Sequence, residues 1–237
     1  INIMVVGSSY TAYYQRVLKE IVTLDGDSIN LRTISIGSAD FRIQVNDGSA
    51  LSYNRQNPLD YVMLQEAAYM ACLHDSSLQS STYVATKTLI DSIRFYNPDT
   101  RIGLYMTHAY KNGHSDYGDQ DPVVCTYTGM QDRIIDNYIK LAKNFNVELA
   151  PVGYYWKKFY ETFPEFELYL SDNSHPSHHG AYLTACIIYA TIYNKTPLGT
   201  SLYEKLSEED CLFIHQYVHD NVLNDKEFQE YYNSVEI

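Results

Sequence analysis

The chain has 237 residues, a formal net charge of -12, 45% hydrophobic residues and 19% charged residues. That length suits one α/β domain over residues 1–237, with apolar content enough for a large core rather than a disordered chain. The negative charge argues against a nucleic-acid backbone or an anionic membrane surface as partner, and no apolar run reaches the length of a membrane helix.

The first apolar run, Ile3 to Val6, reads as a buried strand and breaks into Gly7-Ser8-Ser9-Tyr10. Tyr14, Val17, Leu18, Ile21 and Leu24 then recur at helical spacing up to Asp25-Gly26. Leu31 to Ile36 is a second strand, closed by Gly37-Ser38, and Tyr61 to Leu64 a third, closed by Gln65-Glu66. Ala85, Leu89, Ile93 and Tyr96 mark a helix that stops before Pro98. Ile102 to Met106 is a fourth strand, closed by Thr107-His108. Ile134, Ile135, Tyr138, Leu141 and Ala142 mark the next helix, and Val147 to Ala150 a short fifth strand. The polar stretch from Gly113 to Val124 reads as a surface loop. After Asp172-Asn173-Ser174-His175-Pro176, the residues Ala181, Ala185, Ile188 and Ile192 mark a helix, and Ser207 to Asp210 reads as a capping box for a last helix running to about Val222.

Strands that alternate with helices require crossover connections, so the expected fold is α/β: a mainly parallel five-stranded sheet with helices on both faces. In such sheets the ligand crevice lies beyond the carboxyl ends of the strands. Ser8, Ser9, Gly37, Ser38, Gln65, Glu66, Thr107 and His108 all fall there.

The 24 tyrosines are the compositional oddity, suited to carbohydrate or peptide surfaces as well as to plain packing. Cys72, Cys125, Cys186 and Cys211 are scattered without a CxxC spacing, so neither a zinc site nor a redox pair is expected. His215 and His219, four apart on the last helix, lack the acidic partner and third ligand of a zinc protease. No phosphate loop or dinucleotide fingerprint occurs, and no cofactor or metal is expected. The first residue, Ile1, fits a processed product, which favours a periplasmic or extracellular location over a cytoplasmic one.

The chemistry-bearing residues are a serine, a histidine and a carboxylate, the parts of a hydrolase that works through an acyl intermediate. Ser9 is the favoured nucleophile, because a serine at a strand-to-helix turn sits against the amides that open the helix. Ser8 is its rival, and either residue can equally serve as a helix cap. His175 is the favoured base, with His178 and His179 as close neighbours, and Asp172 is spaced to orient it within one tight turn. Gly37 can offer its amide to an oxyanion and Gln65 a side-chain amide to the same oxygen. Glu66 is a possible second carboxylate, and Thr107 or His108 a lining residue.

Gly7-Ser8-Ser9-Tyr10 and Asp172-x-x-His175 resemble the first and last signature blocks of the SGNH (GDSL-type) hydrolases. The stretch from Ser171 to Ser177 and on through Ala181-Tyr182-Leu183 resembles a bacterial branch of that superfamily, as do Leu64-Gln65-Glu66, Tyr105-Met106-Thr107 and Ala150-Pro151-Val152-Gly153. The resemblance implies a flavodoxin-like three-layer α/β/α sandwich. It implies Ser9 as nucleophile, His175 as base, Asp172 as orienting acid, and the amides of Ser9 and Gly37 in the oxyanion hole. It also implies metal-free cleavage of a small-molecule or glycan acyl ester. Two departures stand out. Ser8 occupies the place of an aspartate, and the third block lacks its usual asparagine, leaving Gln65 as the substitute. Without that donor a loss of about 10²–10³ in rate is expected. A glycan-binding module with weakened chemistry and an acyltransferase are the competing readings.

Overall fold

The structure is a computed structural model that describes residues 1–24, 28–223 and 225–237. Its centre is a five-stranded sheet of β1 (Asn2–Gly7), β2 (Asn30–Ser35), β3 (Tyr61–Leu64), β4 (Arg101–Tyr105) and β5 (Glu148–Ala150). The strand order is β2-β1-β3-β4-β5 and every pairing is parallel. This is the doubly wound, flavodoxin-like order, whose direction of winding reverses between β1 and β3. Ile3, Val5, Val6, Val62 and Leu64 are fully buried, which explains why the central strands read as unbroken apolar runs rather than alternating ones.

The helices are α1 (Ser9–Leu24), α2 (Phe41–Asp47), α3 (Ser49–Gln56), α4 (Ala68–Ala71), α5 (Asp75–Leu78), α6 (Val84–Tyr96), α7 (Tyr127–Phe145), α8 (Val152–Thr162), α9 (His178–Tyr193), α10 (Glu208–Asn221) and α11 (Lys226–Ser234). Right-handed crossovers place the β1-to-β2 helix on one face and the later crossover helices on the other. The packing follows this rule. Helix α1 lies along α9, which carries α10, whereas α2, α3 and α6 pack on one another. Nearly the whole of α9 from Gly180 to Ile192 is buried, so it is apolar all round rather than striped.

The five expected strands are present, with no end shifted by more than one residue. The expected stop of α1 at Asp25-Gly26 lies outside the described residues. Helices α2, α3, α8 and α11 occupy segments the sequence pattern left unassigned. The Gly113 to Val124 stretch is a mostly exposed run holding two 3₁₀ turns, Ser115–Gln120 and Pro122–Cys125. Among the described residues no helix is long and apolar enough to cross a membrane.

Candidate active site

The carboxyl ends of β1, β2 and β3 converge at the point where the winding reverses. Gly7 ends β1, and a Cβ there would stand 2.4 Å from Gln65 Oε1 and 2.5 Å from Thr11 Oγ1, so only glycine lets the turn close over β3. Ser9 is the first residue of α1, where its amide has no intrahelical carbonyl to bond. From the other end of the chain, the turn that precedes α9 is framed on several sides. Leu170 N donates to His175 O (2.8 Å), Asn173 N to Leu170 O (2.9 Å), and Lys111 N to Asn173 O (2.8 Å). Asn173 adopts a left-handed conformation (φ 60°), and Tyr169 bridges Pro176 in antiparallel fashion. Ser177 then caps α9 by accepting from Gly180 N (3.2 Å).

Across this junction Ser9 Oγ and His175 Nε2 are 2.8 Å apart, although the residues are separated by 166 positions in the chain. His175 Nδ1 is 2.7 Å from Asp172 Oδ2. A carboxylate only accepts, so Nδ1 carries the proton and Nε2 presents a lone pair to the serine hydroxyl. Asp172 Oδ1 accepts from the amides of Ser174 (3.0 Å) and His175 (2.9 Å), which fixes the carboxylate against the turn. Partial burial disfavours the ionised form of Asp172, but these two amides and the His175 ring outweigh it and hold the group at about 2. Ser9, His175 and Asp172 therefore lie in one hydrogen-bonded chain.

Ser8 does not share this position. It is buried, and both its amide (2.8 Å) and its hydroxyl (3.0 Å) donate to Gln65 Oε1, which also accepts from Thr11 Oγ1 (3.1 Å). Gln65 Nε2 donates to Glu66 O at 2.6 Å. The Gln65 side chain thus fastens the serine turn to β3 from below instead of turning its amide outward. Gly37 lies in the turn after β2, exposed and with open space around its Cα. That turn abuts the Gly7–Ser9 loop: Ile36 N donates to Gly7 O (3.1 Å) and Ser35 Oγ to Ser8 O (2.8 Å). Of the other histidines, His178 lies by Tyr203 Oη at 3.4 Å and His179 pairs with Asp210 at 3.1 Å. His215 is buried on Tyr182 Oη at 2.6 Å, while His219 meets Thr196 at 3.0 Å, so the two do not converge. Among the described residues no three His, Cys, Asp or Glu side chains gather as a metal site.

Glu66, read as a possible second carboxylate, and Thr107 and His108, read as lining residues, are all buried away from the crevice. Glu66 is fully buried, and its Oε1 accepts from the amides of Phe41 (2.9 Å) and Ala67 (2.8 Å), tying the start of α2 to the β3 loop. Its Oε2 has no hydrogen-bond partner among the described residues. Burial pushes this carboxyl up to about 7 against the pull of those amides and of the nearby Thr82 hydroxyl, with a further push from Asp40. Thr107 and His108 are also fully buried. Burial drives the His108 imidazole down to about 3, so it is neutral.

Several residues at the site had no separate signal in the sequence beyond proximity. Tyr10 follows Ser9 and shares a 2.9 Å hydrogen bond with Ser174 Oγ. Tyr13, one helical turn past Ser9, places its ring 5.2 Å from the His175 ring while 37% exposed. The i to i+4 spacing from Ser9 is the clue that would have found it.

No family model matches the sequence, and no curated protein matches it either. Solved structures do match. A DUF4886 family protein from Bacteroides uniformis superposes with a TM-score of 0.77 at 15% identity, covering 97% of this chain and 98% of that one. An acetyl xylan esterase, AlAXEase, gives 0.61 at 16% identity, covering 81% of this chain and 100% of its own. A lipase/acylhydrolase from Enterococcus faecalis gives 0.56 at 16% identity, covering 81% and 95%. The chain therefore has the three-layer α/β/α fold of the SGNH hydrolases, and the resemblance read from its motifs holds at the level of fold.

Proposed function

We propose that this protein is a serine esterase or deacetylase that hydrolyses a small acyl ester, on carbohydrate in the first instance, through an acyl-enzyme. The observation that carries the reading is the unbroken relay from Ser9 Oγ to His175 Nε2 (2.8 Å) and from His175 Nδ1 to Asp172 (2.7 Å), standing at the winding reversal of the sheet. Ser9 attacks the acyl carbon and passes its proton to His175 Nε2. The amides of Ser9 and Gly37 receive the oxyanion. Asp172, held ionised, stabilises the imidazolium. His175 then protonates the leaving alcohol, and a water activated by the same nitrogen releases the acid. Each step is assigned to a group of the chain itself. The carbohydrate assignment is supported by the half-exposed Tyr13 ring beside His175, an aromatic wall where the alcohol departs. A structural neighbour is an acetyl xylan esterase.

The competing reading, a glycan-binding module with weakened chemistry, draws on one observation: Gln65 Nε2 bonds to Glu66 O, so a third oxyanion donor is missing from that side chain. The two are separated by a serine-directed phosphonate and by p-nitrophenyl acetate. The esterase reading expects turnover, with labelling at Ser9 that disappears in Ser9→Ala. Labelling that survives Ser9→Ala overturns the nucleophile, and saccharide affinity without turnover establishes the binding module.

A further inference from the structure

Ser174 lies between the acid and the base of the relay, and both of its outward polar groups are held by residues from other elements. Its carbonyl is 3.0 Å from His108 Nε2, in the loop that follows β4. Its hydroxyl is 2.9 Å from Tyr10 Oη, in the first turn of α1. A carbonyl cannot donate, so His108 Nε2 must carry the hydrogen. The imidazole is fully buried in a column of rings. Tyr10 stacks on one face (centroids 4.3 Å, 11°) and Trp156 of α8 on the other (3.9 Å, 8°), with Tyr169 at its edge (5.6 Å). Trp156 is itself fixed: its Nε1 donates to Tyr169 Oη (3.0 Å), which donates to Ala109 O (2.9 Å).

A filler would not need to be histidine. Phenylalanine would complete the same column without a buried ring nitrogen, whereas His108 Nδ1 has no hydrogen-bond partner among the described residues. An unpaired buried acceptor is unfavourable, so the position is explained by what the opposite nitrogen does. That nitrogen grips the 172–175 turn from below while Tyr10, next to the nucleophile, grips the same residue from the side.

We propose that His108 and Tyr10 are positioning residues that set the reach between Ser9 and His175 through Ser174. For its kinetic consequence the proposal rests on the esterase reading. A catalytic hydrogen bond is sensitive to displacement, a shift of about 1 Å costing up to 10²-fold. His108→Phe keeps the ring column and removes the donor. It is expected to lower kcat about 10-fold or more with KM within twofold, while His108→Gln, which restores an N–H donor, recovers part of the loss. Tyr10→Phe and Ser174→Ala each delete one end of the same bond. They are expected to lower kcat equally, and the double variant no further.

A second readout does not need turnover. In proton NMR the Nδ1–H of His175 bonded to Asp172 is expected to give a far-downfield resonance, identified by its loss in His175→Ala. In His108→Phe and in Tyr10→Phe it is expected to move or broaden. Wild-type kcat together with an unmoved resonance in both variants overturns the proposal, as does an additive double variant of Tyr10 and Ser174. If the wild-type protein hydrolyses no ester, the esterase reading falls, while the resonance still decides the positioning. Should His108→Phe fail to fold, Tyr10→Phe and Ser174→Ala carry the test.

Discussion

Replacing Glu66 by glutamine isolates the effect of one buried carboxyl. In the folded chain the group sits without solvent, with two amides on one oxygen and none on the other, and titrates near 7 rather than 4.5. The folded state therefore keeps a proton that the unfolded chain has lost across that window. Wherever the native state binds more protons, stability falls as pH rises, so this group stabilises at acid pH and loses its contribution as pH climbs from about 4.5 through 7. The raised value corresponds to about 3 kcal/mol at full extent. Glu66→Gln keeps an oxygen for the Phe41 and Ala67 amides and cannot ionise. Urea unfolding at pH 5 and pH 8 is the assay. Relative to wild type, Glu66→Gln is expected to gain about 2–3 kcal/mol between the two, through the midpoint at unchanged slope. A difference that stays constant with pH would show that Glu66 ionises normally, and the account of this site would be wrong.

The same variant exposes an opposite slope. Burial holds His108 at about 3 and His215 at about 4, so the unfolded chain binds protons that the folded one refuses, and the stability of Glu66→Gln should fall steadily as pH drops below about 6.5. Gly7→Ala forces a methyl into Gln65 and Thr11, and overpacking of that kind costs about 1–3 kcal/mol, so calorimetry should record a Tm lower by about 3–10 °C. Asp172→Asn retains the oxygen that the Ser174 and His175 amides use but reverses the His175 tautomer. Esterase kcat is expected to drop on the order of 10³–10⁴-fold with Tm nearly unchanged, and a loss under tenfold would remove Asp172 from the relay.

The sheet was readable because its central strands are buried on both faces and its crossovers alternate with helical spacing. Asp172 and His175 were readable because a three-residue spacing in one turn is local. Helix α8 hides a legible pattern: Val152, Tyr155, Trp156 and Phe159 are buried at i, i+3, i+4 and i+7, but its aromatic residues favour strands and blur the period. Helix α2 is seven residues long and α11 buries only Phe228, so neither offers a stripe to detect. Gln65, Glu66, Thr107 and His108 share one sequence signal, polar residues at strand ends, yet the structure buries all four. Where such a side chain points depends on neighbours from distant elements: Thr11 for Gln65, Phe41 for Glu66 and Trp156 for His108. No local pattern encodes those meetings.

The acid and base of the relay are made within four residues, whereas the alcohol is brought to them from 166 positions away. A polypeptide interrupted before residue 171 would hold the hydroxyl of Ser9 with nothing to withdraw its proton. On the proposed mechanism, reactivity therefore requires both ends of the chain to be in place. On that mechanism, fragments left by stalled synthesis or early cleavage are expected to be chemically silent.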